Sequence, residues 1–207
     1  MHKDLLFVGD SFTFGMELEP EHEEYRFSHL VATDKNLTYE NLSQCGACND
    51  WIIKTTIQYF RSGNTCDTAI IQFTAPERWR YYDTEKEKWR NIGYGKGRDP
   101  KEFKSQATRD AHSAYYQYIY SPQLAIENYW KNVFFIDEYL KDKCKTIYLT
   151  LGNGLDKSPK VFSRESDWAP DTIEIGVIKQ IVGKSKIIGH PSKEGHRKIA
   201  NHILKNF

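Results

Sequence analysis

The sequence predicts an α/β protein built on a parallel sheet with helices on both faces, and three observations lead there. Short apolar runs of strand length alternate with segments of helical period. The runs are nearly continuous, as in strands covered on both sides. The 207 residues suit one domain of generous size, or at most two small ones. In such sheets ligands bind beyond the carboxyl ends of the strands, so motifs at those ends carry the most functional weight.

The elements follow in order. Leu5-Leu6-Phe7-Val8-Gly9 is the first strand, and residues 37–42 are the second. Ile52, Ile53, Ile57 and Phe60 share one face of a helix, with Asn49 as its expected N-cap. Residues 68–73 (Thr-Ala-Ile-Ile-Gln-Phe) read as the third strand. Ile126, Trp130, Val133, Phe134 and Leu140 mark a longer helix, followed by a strand over 145–151 that Gly152 stops. A fifth strand lies in 173–182 or in 186–188, and the sequence leaves the choice open. The last helix starts near Ser192 and buries Ile199, Ala200, Ile203 and Leu204.

Composition excludes several function classes. Lys+Arg 29 against Asp+Glu 28 leave a net charge of +1, with no global field to attract a phosphate backbone, so no nucleic-acid partner is expected. No apolar run approaches the roughly 18–20 residues of a spanning helix, and the N-terminus lacks the pattern of a signal peptide. No membrane partner is expected. Four cysteines are too few to staple a chain this long, so a cytoplasmic location is the expectation. Aromatics at 14% argue against disorder.

Residues 76–125 break the pattern. They hold ten aromatic and seventeen charged residues against three Ile, Leu or Val, too few to form a core. The segment opens with Pro76-Glu77-Arg78-Trp79-Arg80-Tyr81-Tyr82, directly after the third strand and therefore at the ligand-binding edge. It reads either as a decorated surface insertion, an oligomer contact included, or as a lid or substrate-binding wall. Its position favours the wall, with Trp79, Tyr81 and Tyr82 as candidate substrate-binding residues.

Two sites at opposite ends of the chain carry the chemistry. Gly9-Asp10-Ser11-Phe12-Thr13-Phe14-Gly15 follows the first strand and presents a serine hydroxyl at the functional edge. Its glycine spacing is not the Gly-x-Ser-x-Gly elbow, and an Asx turn alone would also explain Gly-Asp-Ser. Near the other end stands Gly189-His190-Pro191-Ser192-Lys193-Glu194-Gly195-His196. A serine nucleophile needs a base within reach, and His190 stands just before the last helix, whose positive N-terminus disfavours imidazolium. The bland alternative is one histidine of seven ending a loop.

Together these blocks resemble the SGNH (GDSL-type) hydrolases, whose outermost blocks are Gly-Asp-Ser near the N-terminus and His-Pro before the terminal helix. Order and spacing follow the family across the chain outside 76–125, and the wording is most similar to small members encoded by tailed bacteriophages. The resemblance implies a three-layer α/β/α, flavodoxin-like domain over residues 1–207 with a five-stranded parallel sheet and an insertion after strand 3. It also implies hydrolysis of esters without metal or cofactor. Ser11 matches the family's nucleophile and His190 its base, while Gly46 matches the glycine whose N–H joins that of Ser11 in the oxyanion hole.

Two positions depart from the family. Where its third block places an oxyanion-hole asparagine, this chain reads Phe73-Thr74-Ala75-Pro76, with the Thr74 hydroxyl as a substitute donor. Asn49-Asp50 resembles the missing pair but follows the second block, so Asn49 reads as a helix cap, with oxyanion service the lesser option. Three residues before His190, in place of the triad aspartate, stands Ile187. A Ser–His dyad oriented by a backbone carbonyl remains, or Asp171 or Glu174 approaching from a neighbouring loop.

The remaining signals are weaker. Cys45-Gly46-Ala47-Cys48 is a C-x-x-C, but the hydrolase block already accounts for Gly46. No second close cysteine pair supports a zinc site. The expected activity is a serine esterase or acetylesterase acting on a small or carbohydrate-linked ester. The rival is a binding or structural protein that keeps the fold, lacks the chemistry and uses the aromatic segment. Oligomeric state is not legible.

Overall fold

In the computed structural model, which describes residues 1–16, 18, 20–83, 87–92, 105–151, 175–182 and 189–207, the first strand is β1 (His2–Val8). A short helix α1 (Ser11–Phe14) and a 3₁₀ turn (Pro20–Tyr25) lead to α2 (Phe27–Lys35) and the three-residue strand β2 (Tyr39–Asn41). Helix α3 (Asn49–Arg61) and the long strand β3 (Thr65–Phe73) follow. After the segment that starts at Pro76 come α5 (Pro122–Leu140) and β6 (Lys145–Thr150). Then come β7 (Ile175–Val177), α6 (Ile178–Val182) and α7 (Lys193–Lys205).

Four pairings, all parallel, join the main sheet in the order β2-β1-β3-β6-β7. Counting sheet strands alone, this is the doubly wound order 2-1-3-4-5, with its switch point between β1 and β3. Each face takes alternate residues of the same strands, because strand side chains alternate with a period of two. Leu5, Phe7, Ile70 and Leu149 face α2, α6 and α7 and pack with Phe27, Val31, Ile178, Ile199 and Ile203. Leu6, Val8, Ala69, Ile71 and Phe73 face α3 and α5 and pack with Ile52, Tyr129, Val133 and Ile136. This double burial is why the runs are apolar without alternation.

Phe7 is fully buried and meets Phe27 edge-on at 6.0 Å. Phe7→Ala is expected to cost about 3–5 kcal/mol, read from urea unfolding midpoints.

Three sequence expectations change. The segment 76–125 is not one long loop. It contains an antiparallel hairpin of β4 (Trp79–Asp83) and β5 (Lys88–Ile92), helix α4 (Gln106–Ala114) and a π-helical turn (Tyr115–Ile119). Its last residues belong to α5, where Ser121 caps the first turn, Pro122 takes the first position and Ala125 is buried. Within 173–182 the strand is limited to Ile175–Val177, because Ile178 and Val182, four residues apart, turn together into the core as a helix. The alternative at 186–188 lies outside the described residues. Asn49 is not a cap: Cys48 occupies the N-cap position of α3, and the Asn49 side chain serves another purpose described below. No helix among the described residues is long and apolar enough to cross a membrane.

Candidate active site

The switch point between β1 and β3 holds a set of buried polar groups. Gly9 directly follows β1, in a position with no room for a side chain. A Cβ there would collide with Thr13 Oγ1 and lie 2.7 Å from Gln72 Oε1. That space lets Gln72, inside β3, reach the turn: its Oε1 accepts from Asp10 N at 3.1 Å and from Thr13 Oγ1 at 2.9 Å. Asp10 then caps α1, its Oδ1 accepting from Phe12 N at 2.9 Å. The Asx turn and the presented serine therefore coexist. Ser11 opens α1, where its own N–H has no intrahelical acceptor.

His190 approaches from the other end of the chain. Gly189, at φ +112°, and Pro191 bracket it, and Ser192 caps α7 by accepting from Gly195 N at 3.2 Å. His190 Nε2 lies 2.8 Å from Ser11 Oγ, and its ring packs against Phe12 at 5.1 Å between centroids. Ile187, Asp171 and Glu174 all lie outside the described residues.

A fully buried carboxylate sits beneath this pair. Asp10 Oδ2 accepts from Thr74 Oγ1 and from Arg78 Nη1, each at 2.7 Å. The Arg78 side chain keeps 17% of its exposure and also reaches Ala47 O at 3.4 Å. The Thr74 hydroxyl has a single proton, and Asp10 takes it; the Thr74 N–H goes to Asn49 Oδ1 at 2.8 Å. Thr74 is thus bonded into the support rather than open to an oxyanion, which corrects the sequence expectation. Asn49 completes a two-point clasp, its Nδ2 donating to Thr74 O at 3.2 Å. An amide used this way ties α3 to the end of β3.

Gly46 has φ +75°, a left-handed conformation suited to glycine, and its N–H finds no acceptor among the described residues. Its loop is pinned to the nucleophile turn by Gln44 N donating to Gly9 O at 3.1 Å. Of the aromatic candidates, Trp79 stands beside Arg78 and stacks on Tyr115 at 4.1 Å and 15°. Tyr81 shares a hydrogen bond with Thr108 Oγ1 at 2.7 Å, and Tyr82 packs on Trp89 at the half-exposed tip of the hairpin. These two are engaged within the segment itself.

Burial pushes the Cys48 thiol up to about 11, which works against a redox nucleophile in the C-x-x-C. Among the described residues, His2, Asp4 and Asp67 stand close enough to share a metal ion, at the amino ends of β1 and β3 and so away from Ser11.

Sequence reasoning passed over Gln72 and Arg78. A glutamine inside a buried apolar strand was itself a signal, since a buried amide needs partners. Arg78 offered none, because its partner Asp10 is remote in sequence.

His196, one turn into α7, is fully buried. Its Nδ1 accepts from Phe27 N at 3.3 Å, and its ring stacks on Phe27. Desolvation, with Arg26 and His190 nearby, lowers its pKa to about 4. The unfolded chain takes this proton near the ordinary 6.5. The neutral ring's stability is therefore complete above that value and declines as pH falls toward 4. The expected slope is at most about 1.4 kcal/mol per pH unit. Urea midpoints at pH 7, 5.5 and 4.5 should fall more steeply for wild type than for His196→Gln, which retains an acceptor.

No protein-family model matches the sequence, and no curated protein matches it either. Solved structures do. A lipolytic protein of the G-D-S-L family from Desulfitobacterium hafniense superposes with a TM-score of 0.59 at 13% identity, covering 98% of each chain. The fold is that of the G-D-S-L lipolytic proteins. A G-D-S-L member from Veillonella parvula gives 0.51 at 15% identity, covering 98% of this chain and 97% of the other. The psychrotrophic esterase EstA from Pseudoalteromonas, in a structure inhibited by monoethylphosphonate, gives 0.52 at 12% over 98% and 95%. At these identities the likeness establishes the fold.

Proposed function

We propose that the protein is a serine ester hydrolase of esterase or acetylesterase type, acting on a small or carbohydrate-linked ester. The observation that carries this reading is the 2.8 Å contact between Ser11 Oγ and His190 Nε2. In the proposed sequence Ser11 Oγ attacks the ester carbonyl carbon while His190 Nε2 takes its proton. The tetrahedral intermediate collapses, and His190 returns the proton to the leaving alcohol. Water then attacks the acyl-enzyme with His190 again as base, releasing the acid and restoring Ser11. The N–H groups of Ser11 and Gly46 are the proposed oxyanion donors, each worth about 3–4 kcal/mol where such donors have been measured.

Intact-mass labelling with a fluorophosphonate tests this reading. A single adduct on wild type, absent from Ser11→Ala and His190→Ala, is the expected result. No adduct on the folded wild-type protein would turn the assignment to a binding protein of the same fold.

A further inference from the structure

A cleft of about 100 Å³ opens where the first turn of α3, the start of β4, the π-helical turn and α5 meet. Arg78 and Asn49 line it, and these same side chains hold Asp10 and Thr74 under the nucleophile. The stacked rings of Trp79 and Tyr115 form one wall. Asp50 from α3 with Asn128, Lys131 and Asn132 from α5 supply a polar wall.

Two hydrogen bonds organise that polar wall. Asn132 Nδ2 donates to Asp50 Oδ1 at 3.0 Å, and Lys131 Nζ donates to Asn128 Oδ1 at 2.7 Å. Among the described residues this leaves two acceptors, the second Asp50 oxygen and the Asn132 amide oxygen. It also leaves donors on the Asn128 amide and the Lys131 ammonium. The lining carries one acid and one base, Asp50 and Lys131, besides Arg78, which Asp10 already neutralises.

This chemistry discriminates between ligands. A phosphate or carboxylate group would meet the Asp50 carboxylate, and an ammonium group would meet Lys131. An acyl chain would strip water from every polar group and return no hydrogen bond. A hydroxyl both donates and accepts, so neighbouring hydroxyls satisfy both kinds of site together. The exposed surface of the cleft is mostly polar, which suits hydroxyl groups, and the Trp79–Tyr115 pair borders it. We infer that the cleft binds the hydroxylated edge of a neutral sugar ring, the alcohol part of the ester.

The inference rests on the esterase reading for its link to Ser11, but its test does not need turnover. Ser11→Ala protein is titrated calorimetrically with monoacetylated methyl pyranosides of the gluco, galacto, manno and xylo series, and with hexyl acetate. At least one glycoside is expected to bind with a millimolar or tighter Kd, and hexyl acetate is not. Adding Asp50→Ala, Asn132→Leu or Lys131→Glu should weaken that binding at least 10-fold, while Phe134→Ser on the exposed side of α5 should not. Thermal melts identify any variant that fails to fold, and the remaining substitutions then decide.

Absence of glycoside binding, or binding indifferent to all three cleft substitutions, would overturn the inference. In active protein the ratio of kcat/KM for the bound glycoside ester to that for hexyl acetate should fall at least 10-fold in the cleft variants. Cleft-dependent binding without any fluorophosphonate adduct would sink the serine mechanism and leave the subsite standing. An adduct with an unchanged ratio would do the reverse.

Discussion

Ser11→Ala and His190→Ala are each expected to reduce hydrolysis of 4-nitrophenyl acetate by roughly 10⁴-fold or more, the scale on which serine hydrolases lose turnover when nucleophile or base is removed. The proposed chemistry makes the two losses similar. A serine hydroxyl is a weak nucleophile until a base takes its proton, and the imidazole 2.8 Å away is the proposed base. The double variant should be little worse than either single one, because both residues serve one step. Ser11→Ala removes one oxygen from a buried site and should leave the fold intact. Circular dichroism and urea unfolding check that point. Full activity in Ser11→Ala would end the mechanism.

Arg78→Met should destabilise the fold by about 3–5 kcal/mol, the usual consequence of stripping one partner from a buried ion pair. The lower end is expected, since Arg78 keeps 17% exposure and Asp10 retains its bonds from Thr74 Oγ1 and Phe12 N. Asp10→Asn/Arg78→Met should recover part of the loss, because no uncompensated carboxylate remains. A coupling energy near zero in this double-mutant cycle would show that the pair does not act as a unit. Arg78→Met should also lower kcat, because Asp10 both caps the helix that presents Ser11 and carries the ion pair. The KM for 4-nitrophenyl acetate should move less, a split that simple loss of folded protein would not produce.

Periodicity and local chemistry made much of the molecule legible in advance. The α/β class, the strands around Phe7, Ile70 and Ile147, the helices around Ile52 and Ile199, and the placing of Gly9-Asp10-Ser11 at a strand end follow from apolar runs and turn residues. These features depend on neighbours in the chain. Only the tertiary structure decided the rest, because it depends on pairs that sequence distance hides. Asn49 read as a cap because a polar residue before a helical run usually is one. Instead the fold brings Thr74 within reach, and a clasp on a buried backbone outweighs a cap that Cys48's backbone geometry replaces. Thr74 read as an oxyanion donor until Asp10 claimed its only hydroxyl proton. The polar segment after β3 reads as an insertion without a core because few apolar residues mark it, yet β4 and β5 pair through their backbones, which composition does not record. The pairing of Ser11 with His190 is legible from two local motifs, but their 2.8 Å contact exists because the carboxyl end of β1 and the start of α7 meet.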